Sequence, residues 1–300
     1  MNTVIVGLSP PAGTVGGSPL PSSGRSGRSG RLLANLVGCT FAEYEEKFDR
    51  INLHGSSSFP PSTDREAAEA LVPILRGRRV ILLGGRTNQA FGGSLFRWSL
   101  VDGKVVAGVP HPSGLSRWWN NPGNRAKAKK FLAPTLKQCI HVEGPDGSGK
   151  STLTTFLSRS MGLKRIPTDD PPSCREECMS RILRRIVPGV VCDRSSGLVS
   201  ELVYGPVLRG NTVEDESVLW GIISAVSHAV TFVYCRPKTM LPRTRPGESA
   251  DHTKAVEKNL EALVSRYDEV MAKVASLGAK VVRYDREVMS EKEVELSCAG

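Results

Sequence analysis

The chain has 300 residues, room for two ordinary cores at about 150 residues each. It is 39% apolar and 23% charged, with no apolar run near the roughly 20 residues of a membrane helix, so it reads as a folded, non-membrane protein. Its net charge of +10 points to an acidic partner.

The first residues, Met1-Asn2-Thr3-Val4-Ile5-Val6-Gly7-Leu8, form a short apolar run ending in Ser9-Pro10-Pro11. They read as a strand over Thr3–Leu8 and not as a secretion signal, which would need a basic leader. A stretch rich in Gly, Ser and Pro follows, Ser9 to Gly30, and its Gly24-Arg25-Ser26-Gly27-Arg28-Ser29-Gly30 reads as a flexible loop able to wrap a phosphate backbone. After a helix near Leu32 the pattern predicts a helix over Arg65–Leu75, strands over Arg79–Leu83 and Lys104–Val109, and a basic helix over Asn124–Phe131. Charge divides the chain. Residues 1–137 hold 18 Lys/Arg against 8 Asp/Glu, whereas residues 138–300 hold 22 of each. The whole excess therefore lies on a first domain, 1–137, and a second domain, 138–300, is neutral.

Two loops of the first domain carry a likeness. Gly7-Leu8-Ser9-Pro10-Pro11 ends the first strand, and His111-Pro112-Ser113-Gly114-Leu115-Ser116-Arg117 ends a later one. In this order and about a hundred residues apart they resemble the signature loops of the uracil-DNA glycosylase superfamily, particularly its mismatch-specific and thymine-directed branches. The resemblance covers most of residues 1–131 and implies an α/β/α domain that holds DNA. In that family the first loop carries a water-activating Asp or Asn, and Ser9 stands at that position. A neutral hydroxyl cannot serve as a carboxylate base, so the expectation is binding without excision. The resemblance implies that Leu115 acts as a wedge beside a flipped base and that His111 donates to a base carbonyl. Ser9 and Ser113 lie on the same loops, and Arg117, Arg125 and Lys127, with Lys129 and Lys130, are placed to hold phosphates. Trp118 and Trp119 offer stacking surface, although two tryptophans are more often core.

The second domain opens on an apolar run, Gln138-Cys139-Ile140-His141-Val142-Glu143, feeding Gly144-Pro145-Asp146-Gly147-Ser148-Gly149-Lys150-Ser151. That is a full G-x-x-x-x-G-K-S loop, with a strand before it and the amphipathic Thr152-Leu153-Thr154-Thr155-Phe156-Leu157 after it. Gly144, Gly147, Ser148 and Gly149 let successive backbone N–H groups turn inward on phosphate oxygens. Lys150 reaches the β- and γ-phosphates of ATP, Ser151 binds Mg²⁺, and Thr152 continues the helix whose positive end faces the same place. Cys174 and Cys178, the only close pair among seven dispersed cysteines, read as helical neighbours in a reducing cytoplasm rather than as zinc ligands. A second strand, Gly189-Val190-Val191-Cys192, ends in Asp193-Arg194, which in a parallel sheet faces the phosphates, Asp193 to hold Mg²⁺ directly or through water or to position the acceptor, and Arg194 to grip a phosphate. A third, Ala229 to Cys235, leads into Arg236-Pro237-Lys238-Thr239-Met240-Leu241-Pro242-Arg243-Thr244-Arg245-Pro246-Gly247-Glu248, a poor helix and a good flap. Either Arg243 or Arg245 is then the closing arginine. A helix over Lys254 to Ala275 and a last strand, Lys280–Tyr284, complete the α/β pattern.

Glu143-Gly144-Pro145-Asp146-Gly147-Ser148-Gly149-Lys150-Ser151-Thr152, then Asp193-Arg194 and Ser200-Glu201-Leu202-Val203-Tyr204-Gly205-Pro206-Val207-Leu208-Arg209, resemble the thymidylate kinase group of P-loop nucleotide kinases, especially the deoxynucleotide kinases of bacteriophages. The likeness spans about residues 138–288. It implies a parallel-sheet kinase fold, ATP and Mg²⁺ as donor and cofactor, Asp146 on the acceptor sugar and Arg194 on the acceptor phosphate. Ser195 stands where the family has an aromatic residue. Three functions follow as expectations, all in the cytoplasm, of a phage-infected host if the phage likeness holds. The first is phosphoryl transfer to a deoxynucleotide. The second is transfer to a modified pyrimidine such as hydroxymethyluracil within DNA held by the first domain, and the third a glycosylase or damaged-base binder with an accessory kinase.

Overall fold

The computed structural model describes residues 3–8, 27–54, 63–102, 104–113, 116–167, 172–193, 198–236 and 250–299. Its contacts divide the chain into two compact units, Met1–Leu136 and Lys137–Gly300. Among the described residues no helix is long and apolar enough to cross a membrane.

The first unit is built on five strands: β1 (Thr3–Gly7), β2 (Phe48–Asn52), β3 (Arg79–Leu83), β4 (Trp98–Val101) and β5 (Lys104–Val109), in the order β2-β1-β3-β5-β4. All pairs are parallel except β4 with β5. That hairpin turns at Asp102, whose φ of 44° is the left-handed geometry such a tight turn uses and that Asp tolerates. The runs Thr-Val-Ile-Val-Gly and Lys-Val-Val-Ala-Gly-Val are apolar at successive positions because both sheet faces are covered. Alternation sorts them. Ile5, Ile81 and Leu83 pack with Leu33, Leu36 and Val37 of the helix Gly27–Val37, while Val4, Val6, Val80 and Leu82 pack with Ala68 and Leu75 of the helix Asp64–Leu75.

Four elements of this unit go beyond the pattern read from sequence: the helices Phe41–Lys47 and Gly85–Ala90, and the strands β2 and β4. Both strands lie at the sheet edges and are largely half-buried, so Phe-Asp-Arg-Ile-Asn and Trp-Ser-Leu-Val lack the continuous apolar run that marks an inner strand. The helix Phe41–Lys47 does carry a local signal: Thr40 caps the Glu43 N–H, and the Glu43 carboxylate returns to the Thr40 N–H at 2.8 Å.

The second unit holds β6 (Cys139–Glu143), β7 (Lys164–Ile166), β8 (Val190–Asp193), β9 (Thr231–Cys235) and β10 (Lys280–Tyr284), all parallel in the order β10-β9-β6-β8-β7. The chain leaves β6 for one side of the sheet, to β7 and β8, and then crosses to β9 on the other. The crevice at the carboxyl end of β6 is therefore the topological switch point, where open α/β sheets take their ligands. The helix expected over Lys254 to Ala275 is two helices, Ala250–Lys258 and Leu260–Ser276. They part at Asn259, whose side-chain amide donates to the Ala255 carbonyl at 2.8 Å, a local bond that competes with a continuous helix.

Candidate nucleotide and nucleic-acid sites

The loop that follows β6 needs glycine at three points. Gly144, Gly147 and Gly149 have φ of 140°, 78° and 92°, a region that side chains with a Cβ seldom enter. A Cβ on Gly144 would also lie 2.4 Å from the backbone oxygen of Cys235. The helix Lys150–Ser160 begins directly after the loop, so its unpaired N–H groups face the concavity. Ser148 is buried there, and its hydroxyl has no hydrogen-bond partner among the described residues. Such an orphan costs about 1–3 kcal/mol unless a ligand satisfies it. The cradle, the helix start and the orphan hydroxyl together fit a phosphate chain.

Three side chains meet at this loop. Lys150 is buried at the helix start, and its ammonium donates to the Pro145 carbonyl at 2.6 Å and lies 3.9 Å from the Asp146 carboxylate. The Ser151 hydroxyl donates to the carboxylate of Asp193. Asp193 reaches it because β8 pairs with β6 so that Asp193 lies beside Val142, one strand over from the loop. A hydroxyl and a buried carboxylate, hard oxygen donors side by side, suit Mg²⁺. The other oxygen of Asp146 accepts from the Tyr204 hydroxyl at 3.2 Å. Tyr204 in turn packs edge-on to Tyr267, with ring centroids 6.0 Å apart.

Beside the loop lies a cleft of about 480 Å³, walled by Gly149, Thr152, Tyr284, Arg286 and Val288 among others. Arg286 spans from the end of β10 to the loop, donating to the Gly147 carbonyl at 3.2 Å. Val288 exposes an apolar side chain, 68% accessible, on the cleft wall. Arg286 and Val288 escape a reading by motif because they lie far along the chain from the loop they serve, and Tyr204, though within the Ser200–Arg209 stretch of the kinase resemblance, has no role there that the motif assigns.

Arg194, Arg243 and Arg245 lie outside the described residues, as do Ser9 and Leu115 of the first unit. Of the cations expected on the flap, Arg236 is described. It forms a two-point contact with Asp268, with its Nε 3.2 Å and its Nη2 3.1 Å from the carboxylate. The neighbouring Tyr234 hydroxyl donates to Asp268 at 2.7 Å, and burial together with that carboxylate pushes its phenol up.

In the first unit, His111 follows β5 and packs against Gly84, and burial pushes its imidazole below the usual value. Ser113 accepts from the Ser116 N–H through its carbonyl at 3.1 Å. Arg117 is exposed at the start of a short 3-10 turn, Arg117–Asn120, and Arg125 and Lys127 lie on the helix Pro122–Leu132. The two tryptophans divide: Trp119 is buried and donates to the His111 carbonyl at 2.7 Å, whereas Trp118 is half-buried at the edge of the core.

No family model matches the chain, and no curated protein matches it with significance. Similar solved structures include the YorR protein of Bacillus subtilis in complex with phosphorylated GDP, at 22% identity and a TM-score of 0.42 over 52% of this chain and 91% of that one. The NadR protein in complex with NR is similar at 13% identity and a TM-score of 0.38, over 100% of this chain and 97% of that one. The same protein in complex with NAD and AMP-PNP gives 13% identity and a TM-score of 0.36, over 99% and 87%. Likenesses this loose identify neither a substrate nor a partner for this chain.

Proposed function

We propose that the second unit is a P-loop phosphotransferase that moves the γ-phosphoryl group of ATP to a deoxynucleotide, the free monophosphate being the first acceptor to test. The observation that carries this reading is the meeting of Ser151 with the buried Asp193 at the mouth of a glycine loop that also presents Lys150. The loop N–H groups and the Ser148 hydroxyl bind the phosphate chain. Lys150 exchanges the Pro145 carbonyl for the β- and γ-phosphates, where negative charge develops. Mg²⁺, when bound by Ser151 and Asp193, supplies charge neutralisation across those phosphates. Asp146, oriented by Tyr204, accepts from a hydroxyl of the acceptor, and Arg194 grips its phosphate, as the kinase resemblance implies. The base of the donor is assigned to the cleft of about 480 Å³ beside Arg286 and Val288, whose wall also carries Glu287, Glu291 and Glu293.

A second reading keeps this chemistry and changes the acceptor to a modified pyrimidine in DNA held by the first unit. Its support is the confinement of the excess charge to residues 1–137 and the exposure of Arg117, Arg125 and Lys127. One experiment separates the two. The whole protein is incubated with γ-labelled ATP and either deoxynucleoside monophosphates or duplex DNA containing hydroxymethyluracil. Label on mononucleotides alone excludes the DNA acceptor, and label on DNA alone excludes the mononucleotide. No label on either overturns the phosphotransferase reading.

Asp193→Asn keeps the shape of the side chain and removes the charge. The expected result is a loss of about 10²–10³-fold in transfer rate at fixed Mg²⁺, with the melting temperature little changed. A rate within threefold of the parent would remove Asp193 from the metal site.

A further inference from the structure

The positive charge has a narrower address than the first unit. Residues 70–137 contain twelve Lys/Arg and a single acid, Asp102. Some of these cations are spoken for: Arg78 pairs with Asp49, Arg86 with Asp64, and Lys104 is buried 3.9 Å from Asp102. Arg97, Arg117, Lys127, Lys129 and Lys130 are exposed and form no ion pair with a described carboxylate. Arg97 precedes the edge strand β4, Arg117 starts the 3-10 turn Arg117–Asn120, and the three lysines lie on the helix Pro122–Leu132, whose eleven residues include no acid.

The same area keeps four aromatic rings only partly covered: Phe96, Trp98, Trp118 and Phe131. They touch in series. Phe96 stacks on Trp118 with centroids 5.4 Å apart and meets Phe131 edge-on at 5.7 Å, and Phe131 stacks on Trp98 at 5.9 Å. The Lys127 ammonium lies 4.7 Å from the Phe96 centroid, so charge and rings share one surface. Phe96 holds this place at a backbone cost, with φ of 56°, a left-handed conformation that is strained for a bulky side chain.

The chemistry of the patch selects its partner. Exposed cations without carboxylates call for a polyanion, and rings left partly uncovered at the rim of the core call for flat apolar partners. Duplex DNA offers the first without the second, because its bases already stack on one another. A single strand offers both, and stacking on aromatic side chains is indifferent to base identity. We propose that the surface formed by Phe96, Trp98, Trp118 and Phe131, with Arg97, Lys127 and Lys130, binds single-stranded DNA, bases on the rings and phosphates on the cations. The proposal does not depend on phosphoryl transfer in the second unit.

The test uses the whole protein and a fluorescein-labelled oligothymidylate of about 15 nucleotides, within the length such surfaces cover. Binding is read both by anisotropy and by quenching of the protein's tryptophan fluorescence. The single strand is expected to bind at least about tenfold tighter than a duplex of equal length, with quenching, because only its bases are free to stack. Trp118→Ala is expected to weaken it about fivefold or more, and Lys127→Ala to lower the slope of log affinity against log salt by about 0.7. Lys150→Ala is expected to leave binding unchanged, which separates this proposal from the kinase reading. Because Trp118 also packs on Trp119, Trp118→Phe, which keeps a ring, and Lys127→Glu, at an exposed position, serve if the alanine variant does not fold. The first retains binding and the second loses it. Binding without quenching, equal competition by duplex or by inorganic polyphosphate, or no binding at all would each overturn the proposal, as would wild-type affinity in Lys127→Glu.

Discussion

Lys150→Ala is expected to slow phosphoryl transfer about a thousandfold and to leave the chain folded. The ammonium is held inside the phosphate loop, 2.6 Å from the Pro145 carbonyl and shielded from water. A charge fixed in such a place acts on developing negative charge far more strongly than one in solvent, and it needs no rearrangement of water as the reaction proceeds. Removing one preorganised donor of this kind typically costs about 10²–10³-fold, and a full positive charge sits at the upper end. The structural cost is small by comparison. Alanine suits the first turn of the helix Lys150–Ser160, and one hydrogen bond to Pro145 contributes about 1 kcal/mol. Asp146 keeps its contact with Tyr204. Label transfer from γ-labelled ATP, measured beside a thermal melt, gives the answer: a folded variant that retains a tenth of the activity would mean that Lys150 does not act on the transferred phosphate.

Gly144→Ala is expected to destabilise the second unit strongly, by about 2–6 kcal/mol. A φ of 140° is nearly closed to residues with a Cβ, at about 1–3 kcal/mol. The new methyl would also stand 2.4 Å from the Cys235 carbonyl oxygen, which belongs to β9 and cannot turn aside like a flexible side chain. Overpacking of that sort adds about 1–3 kcal/mol. Against a total stability of about 5–15 kcal/mol the sum is large. Gly221→Ala is the control: it lies within the helix Glu216–Val226, and nothing stands within 4 Å of its added Cβ. That variant should be neutral or more stable by up to about 1 kcal/mol. Equal melting temperatures for the two variants would show that the loop is not held against β9 as described.

The phosphate loop is legible in sequence because all its requirements are local. Eight residues from Gly144 to Ser151 contain the three positive-φ positions, the lysine and the hydroxyl, and an apolar strand and an amphipathic helix flank them. The inner strands β1, β3, β5 and β6 are legible for a related reason: burial on both faces demands apolar residues in succession, so the signal survives without knowledge of neighbours. The edge strands β2, β4 and β7 lack that signal. The interruption at Asn259 is weakly marked, since asparagine within a helical pattern is tolerated more often than it breaks one.

The chain's own order of residues thus determines that there is a phosphate cradle, where it begins, and that the excess charge lies before it. Only the tertiary structure decides what stands around that cradle. Asp193 comes to Ser151 across 42 residues, Tyr204 to Asp146 across 58, and Arg286 to Gly147 across 139. Those meetings depend on the strand order β10-β9-β6-β8-β7, which pairs β8 directly with β6 and sets β10 beyond β9. Strand order arises from which faces bury best against which helices, a property of the whole packed unit. The same holds for Phe96, Trp118 and Phe131, which become a single surface only after β4 folds back on β5 and the basic helix packs beside it.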